Sequence, residues 1–205
     1  MPTISNPLVE LMKGKKEPSQ HFVDKPAASV HEFYLNGEIE EPSCYTEWFN
    51  TIRHATPNDI VKIYINSCGG DLWTAIQFVR VIRESKATVI ASVEGSCFSA
   101  ATRIFLVSDQ YEISPHSMFM FHNYSAVFGG KGGEIADQLT HYKGWSEEFI
   151  RDIYKDFLSE KEIDAVLANK DLWMASSEVV QRLTARGKIM QKELEKAQKE
   201  RKKRV

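Results

Sequence analysis

Between His31 and Val93 the apolar pattern switches repeatedly between a two-residue and a three-to-four-residue period, and this restricts the fold more than any other feature. Phe33, Leu35 and the run to Ile39 read as a strand, Thr46 to His54 as an amphipathic helix, and Val61-Lys62-Ile63-Tyr64-Ile65 as an alternating strand. Leu72 to Ile82, with apolar residues at Leu72, Ile76, Val79 and Ile82, reads as a second helix, and Thr88 to Val93 as a third strand. Strands alternating with helices predict an α/β fold with parallel pairing. The 205 residues, 42% hydrophobic and 26% charged, fit one medium domain with a sizeable core.

Flanking segments differ in character. Residues 1 to about 27 hold Pro2, Pro7, Pro18, Pro26 and the cluster Lys13-Gly14-Lys15-Lys16, which predicts an N-terminal arm before a domain over 28–187. Phe128-Gly129-Gly130-Lys131-Gly132-Gly133 is too glycine-rich for regular structure. A long helix is expected after it, through Ile135, Leu139, Tyr142, Phe149, Ile153 and Phe157. Ala175-Ser176-Ser177-Glu178 offers a cap and an acidic first turn to a short helix ending near Gly187. Residues 188–205, eight Lys and Arg against three Glu and a local charge of +5, are expected to form a basic helix or tail.

Composition narrows the function. A formal charge of -2 gives no reason to expect nucleic acid or an anionic membrane as partner, and no apolar run approaches the roughly 20 residues of a membrane span. Cys44, Cys68 and Cys97 form no CxxC pair and no metal-ligand spacing, which suits free thiols in a reducing compartment. A cytoplasmic-type protein without metal or cofactor is expected.

The chemistry concentrates at Gly95-Ser96-Cys97-Phe98-Ser99-Ala100-Ala101, a serine at a strand-to-helix junction where the glycine and small residues are expected to let the backbone turn sharply. A hydroxyl there stands at a helix N-terminus, where free N–H groups favour developing negative charge. Such a serine is nearly inert without a base and oxyanion donors. His122, ending the run Met118-Phe119-Met120-Phe121-His122, is the candidate base, and Asp171, before Leu172-Trp173-Met174, the candidate orienter. Asn66-Ser67-Cys68-Gly69-Gly70 lets backbone donors approach a ligand closely. Blander readings stand beside these: Ser99 as a helix cap, Asp164 in place of Asp171, Cys97 as core filler, His116 and His141 as solvent or packing residues.

These pieces together resemble the family of the proteolytic subunit of the Clp protease. Asn66-Ser67-Cys68-Gly69-Gly70 is similar to its Asn-Ser-Pro-Gly-Gly turn, Gly95 to Ala101 to its serine motif, and Tyr34-Leu35-Asn36-Gly37-Glu38-Ile39 to its first strand. Met120-Phe121-His122 is similar to its histidine strand, and Lys170-Asp171-Leu172-Trp173-Met174 to its Arg-Asp-x-aromatic-Met element. The resemblance spans about 32 to 187. It implies a crotonase-like spiral of β-β-α units with a protruding handle helix and a serine endopeptidase acting on unfolded polypeptide. Ser99 would be nucleophile, His122 base and Asp171 orienter; Gly70 and Ala100 would form the oxyanion hole, and Gly129-Gly130 would pair with the substrate backbone. It further implies a homo-oligomeric ring or double ring, usually heptameric, fed by an AAA+ unfoldase.

Several positions depart from that pattern. Cys68 replaces a proline, Phe98 requires an apolar niche, and the stretch from Ser99 to His122 is about two residues short, placed in a Ser108–Ser114 turn. Lys62 and Glu84 stand where the family tends to place the aromatics of its unfoldase-docking cleft, although Tyr64 is kept. Two rival readings are an inactive ring or scaffold subunit, whose usual mark is loss of the serine or histidine, and a crotonase-type acyl-CoA enzyme, which generally works through carboxylates.

Overall fold

The computed structural model describes residues 28–188. The period-two segments become three long parallel strands, β1 (Val30–Ile39), β2 (Ile60–Gly70) and β3 (Thr88–Phe98). Val61, Ile63 and Ile65 on β2, and Val89, Ala91 and Val93 on β3, are buried on one face; Lys62 and Tyr64 between them are only partly buried. A 3-10 turn (Pro42–Tyr45) and helix α1 (Thr46–His54) connect β1 to β2, and helix α2 (Leu72–Glu84) connects β2 to β3. Phe49, Ile52, Ala75, Phe78, Val79 and Ile82 from these helices join the core, each large side chain contributing roughly 1.5–3 kcal/mol by burial.

The buried stripe of α2 differs from the expected one. Leu72 and Ile76 are only partly buried, while Ala75 and Phe78 are fully so. The helix entry sets this rotation: Asp71 N donates to Ile39 O (2.7 Å), Asp71 Oδ1 accepts from Thr74 N (2.7 Å), and Thr74 Oγ1 donates to Glu40 O (2.7 Å).

Beyond β3 come helix α3 (Ala100–Leu106), strands β4 (Gln110–Ile113) and β5 (Met118–Phe121), helices α4 (Gly132–Tyr154) and α5 (Glu160–Leu167), strand β6 (Leu172–Ala175) and a helix α6 over 176–188. The six strands form one sheet, ordered β1-β2-β3-β5-β6, with β4 also on β3. The free edge of β3 is shared: Ile90–Val93 pair with β4, and Ser96–Phe98 with β5. The change of partner coincides with a bulge. Between the pairs Ile65↔Val93 and Ser67↔Cys97, β2 advances two residues and β3 four. Asn66 Oδ1 fills the step, accepting from Ser96 N (3.0 Å) and Ser96 Oγ (3.1 Å).

Four further sequence expectations change. Gly95 does not serve a sharp turn: β3 continues to Phe98, and a Cβ on Gly95 would stand 2.6 Å from Asn66 Oδ1, so the glycine makes room for the bridging amide. The Ser108–Ser114 stretch is mostly strand β4 rather than turn. Gly132 and Gly133 begin α4 instead of lying in a loop, because Glu134 Oε2 accepts from Lys131 N (3.1 Å) and fixes the first turn. That helix ends at Tyr154, leaving Phe157 to pack from the following turn. Its first half is largely exposed, as a handle requires. The mixed α/β architecture, six strands and six helices, is the one expected. The N-terminal arm over 1–27, and residues 189–205 of the basic tail, lie outside the described residues. Among the described residues no helix is long and apolar enough to cross a membrane.

Helix α5 is secured by charge. Ser159 Oγ and Glu162 form a capping box, and Arg182 on α6 binds Glu162 at both oxygens (2.6 and 3.0 Å). The Arg182 guanidinium and the Ser159 N–H hold the Glu162 carboxyl at about 2. A depressed carboxylate stabilises above its unfolded value, and that stability is lost as pH falls through the folded one. We therefore expect Glu162→Gln to lower the melting temperature at pH 7, with the gap from wild type closing between pH 4 and 2 in a melting series.

Candidate active site

Ser99 is the residue at which β3 becomes α3, and its backbone is strained. It has φ 54° and ψ −124°, a region that costs an L-residue about 1–3 kcal/mol. Four hydrogen bonds around it hold that geometry: Ser99 N to Met120 O (2.8 Å), Thr102 N and Thr102 Oγ1 to Ser99 O (3.0 and 2.6 Å), and Thr102 Oγ1 with Tyr154 OH (2.9 Å). Although Ser99 sits at the N-cap of α3, its side chain makes no capping bond. Oγ lies instead 2.5 Å from His122 Nε2. The cap reading of this serine does not hold.

Strand register brings the other two residues in. In the parallel pair β3–β5, Phe98 faces Met120, so the chain just beyond β3 runs beside the end of β5. In the antiparallel pair β5–β6, Phe121 faces Leu172, and one step further outward stand His122 and Asp171. Their closest approach, Nδ1 to Oδ1, is 3.8 Å, an ion-pair distance longer than a hydrogen bond. Asn123 Nδ2 donates to Asn169 Oδ1 (3.3 Å) and to Leu167 O (3.4 Å), tying the two chain ends together. Asp164, the rival carboxylate, is bound to Arg151 (2.8 Å) on an exposed surface.

Electrostatics keep the imidazole neutral. Burial and the nearby Arg103 cation lower the tendency of His122 to take a proton, outweighing Asp171, which raises it. With a proton on Nδ1 toward Asp171, Nε2 is free to accept from the serine hydroxyl.

Gly69, the first of the two glycines in Asn66-Ser67-Cys68-Gly69-Gly70, lies hard against the serine. A Cβ there would lie 2.6 Å from Ser99 Cβ, 2.9 Å from Phe98 O and 3.1 Å from Ala100 N, and its φ is +93°. Gly70, φ +146°, is pressed against Ile39, and a side chain on it would collide with that strand's backbone. Both glycines belong to β2 rather than to a loop. Ala100 N, the first amide of α3, thus lies beside the serine and the glycine strand. Gly129 and Gly130 are exposed and belong to no strand. A cleft of about 500 Å³ opens nearer to His122, between the segment that follows it and α4, walled by Tyr124, Phe128, Leu139 and Leu167.

The remaining residues fall outside the chemistry. Cys97 is buried, and burial pushes its thiol far above the ordinary range, which argues against a thiol nucleophile. His116 and His141 are exposed. Phe98 finds its niche against Trp173 (5.2 Å between rings). Arg103 and Thr102 carry no mark in the sequence, because within a short apolar helix their types suggest no role. No group of acidic, histidine or cysteine side chains capable of holding a metal occurs among the described residues.

A sequence profile described as Clp protease matches residues 32–182, well over half of the chain, and the chain therefore belongs to the Clp protease family. Membership suggests a peptidase. No curated protein matches the chain.

The contacts of Gly69 predict that Gly69→Ala strains the turn. In urea unfolding it should lose about 1–3 kcal/mol, whereas Gly129→Ala, with open space around it, should stay within about 0.5 kcal/mol of wild type.

Proposed function

We propose that the protein is a serine endopeptidase that hydrolyses unfolded polypeptide inside a ring-shaped oligomer. One observation carries this reading: in a strained turn, Ser99 gives up helix capping and directs Oγ to His122 Nε2 at 2.5 Å. A serine with only a structural task has no need of that geometry, and a crotonase-type enzyme has no need of the pair.

In the proposed reaction His122 Nε2 takes the Ser99 proton as Oγ attacks the scissile carbonyl carbon. The carbonyl oxygen becomes an oxyanion, received by the N–H groups of Ala100 and Gly70. Collapse breaks the C–N bond, and the proton passes from His122 to the leaving amine, giving an acyl-serine and a free amine. Water, deprotonated by the same imidazole, then releases the acid and restores Ser99. Asp171 faces Nδ1 and stabilises the imidazolium formed in each half. The unpaired backbone of 125–130, including Gly129 and Gly130, offers an extended peptide an edge to lie against.

The family usually forms oligomeric rings, and the proposed chamber would restrict access to unfolded chains in a cytoplasm-like compartment. Neither metal nor organic cofactor is needed for this chemistry.

Ser99→Ala should abolish cleavage of a short unstructured peptide while leaving the native mass unchanged, and undiminished turnover would remove the serine from the mechanism. Asp171→Asn should lower kcat by about 10²–10⁴. In wild type, kcat/KM should fall with acid only below the ordinary histidine value of about 6.5, because the lowered affinity for protons keeps His122 neutral further down the pH scale.

A further inference from the structure

Helix α3 buries a cation beside the base. Arg103, one turn beyond Ser99, is 2% exposed. Its Nη2 donates to His122 O at 3.3 Å, and its guanidinium lies 5.8 Å from the Phe149 ring centre and 5.7 Å from that of Tyr154. Among the described residues its buried Nε has no hydrogen-bond partner. Among the described residues no carboxylate pairs with it, the nearby Asp171 being engaged with His122 and the α4 carboxylates Glu147 and Asp152 with Arg151 and Arg83. A buried charge without a counter-ion costs several kcal/mol, and an apolar side chain of similar volume would fill this aromatic surrounding at less cost. Packing alone does not account for the residue.

We infer that Arg103 is a positioning residue for the peptidase proposed above, one that clamps the backbone of His122 to the nucleophile's own helix and keeps the imidazole uncharged between proton transfers. The inference rests on that reading for its catalytic meaning, but its physical content belongs to His122 alone.

The clamp acts where the sheet no longer can. His122 lies one residue past the β5–β6 ladder, so strand pairing does not hold its carbonyl; Arg103 does. Since Ser99 leads directly into α3, one short helix then sets the positions of both nucleophile and base. The charge acts on the proton. Arg103 from α3 disfavours the imidazolium, and Asp171, from the segment before β6, favours it. From α4, Tyr154 faces Thr102 through its hydroxyl, and Lys143 and Glu147, of opposite sign, line the neighbouring cleft. Arg103 is thus the positive group set against the imidazolium. A destabilised imidazolium is a stronger acid toward the leaving amine, and the neutral base stays available in mildly acidic conditions.

The test compares full-length wild type, Arg103→Met and Arg103→Lys in two measurements: the NMR titration of the labelled His122 ring, and the pH profile of kcat/KM on an unstructured peptide. Loss of the charge in Arg103→Met should move the His122 midpoint and the acid limb together to higher pH, while Arg103→Lys should leave both near wild type whatever its rate. A purely structural arginine would change kcat or melting temperature without moving either midpoint, and unmoved midpoints in Arg103→Met would overturn the inference. Should Arg103→Met fail to fold, Arg103→Gln, polar but uncharged, replaces it with the same expected shift. Absence of cleavage by wild type would sink the peptidase reading while the ring titration still decides the role of Arg103.

Discussion

The side-chain carbonyl of Asn66 closes the step at which β3 runs two residues ahead of β2, and the geometry of the site follows from that step. Without it, a single strand could run along the whole edge of β3. With it, β4 takes the first part of that edge and β5 the second, so β5 ends beside the strained turn at Ser99. Gly95 has its place in this arrangement through the absence of a side chain, since any Cβ would meet the bridging amide. Two hydrogen bonds and one missing methyl thereby govern where a histidine strand is laid down.

From there the site is assembled by register. Parallel pairing sets β5 against the end of β3, and antiparallel pairing sets β6 against β5, so that His122 and Asp171 face each other one step past the last paired residues. The strain at Ser99 is held by Met120, Thr102 and Tyr154, one each from β5, α3 and α4. Elements that meet only in the folded chain therefore hold a conformation that the local sequence disfavours, which is the usual condition for strain to persist at a reacting residue.

Much of this is legible in the sequence, for identifiable reasons. Alternation along Val61–Ile65 reflects burial on one face, and it marks the strands correctly. The order of the glycine motif, Ser99, His122 and Asp171 marks the family, because few folds bring such pieces together. What the sequence hides are choices made by tertiary contact. Asp171 stands out in the sequence by its place before Leu172-Trp173-Met174, but Asp164 stays a rival there, and the β5–β6 register and the Arg151 ion pair are what tell the two apart in space. The buried face of α2 is turned by the Thr74 bond to Glu40, which periodicity does not encode. Gly132 and Gly133 are helical because Glu134, three residues beyond Lys131, closes the first turn. Arg103 reads as an ordinary helix residue until the fold encloses it.

The proposed chemistry depends on Ser99 being an activated nucleophile. Incubating the full-length protein with a fluorophosphonate probe and mapping the modified peptide tests that property. A single adduct on Ser99 Oγ is expected, formed readily at neutral pH and abolished in His122→Ala. No adduct, or an adduct on another residue with Ser99 untouched, would overturn the assignment.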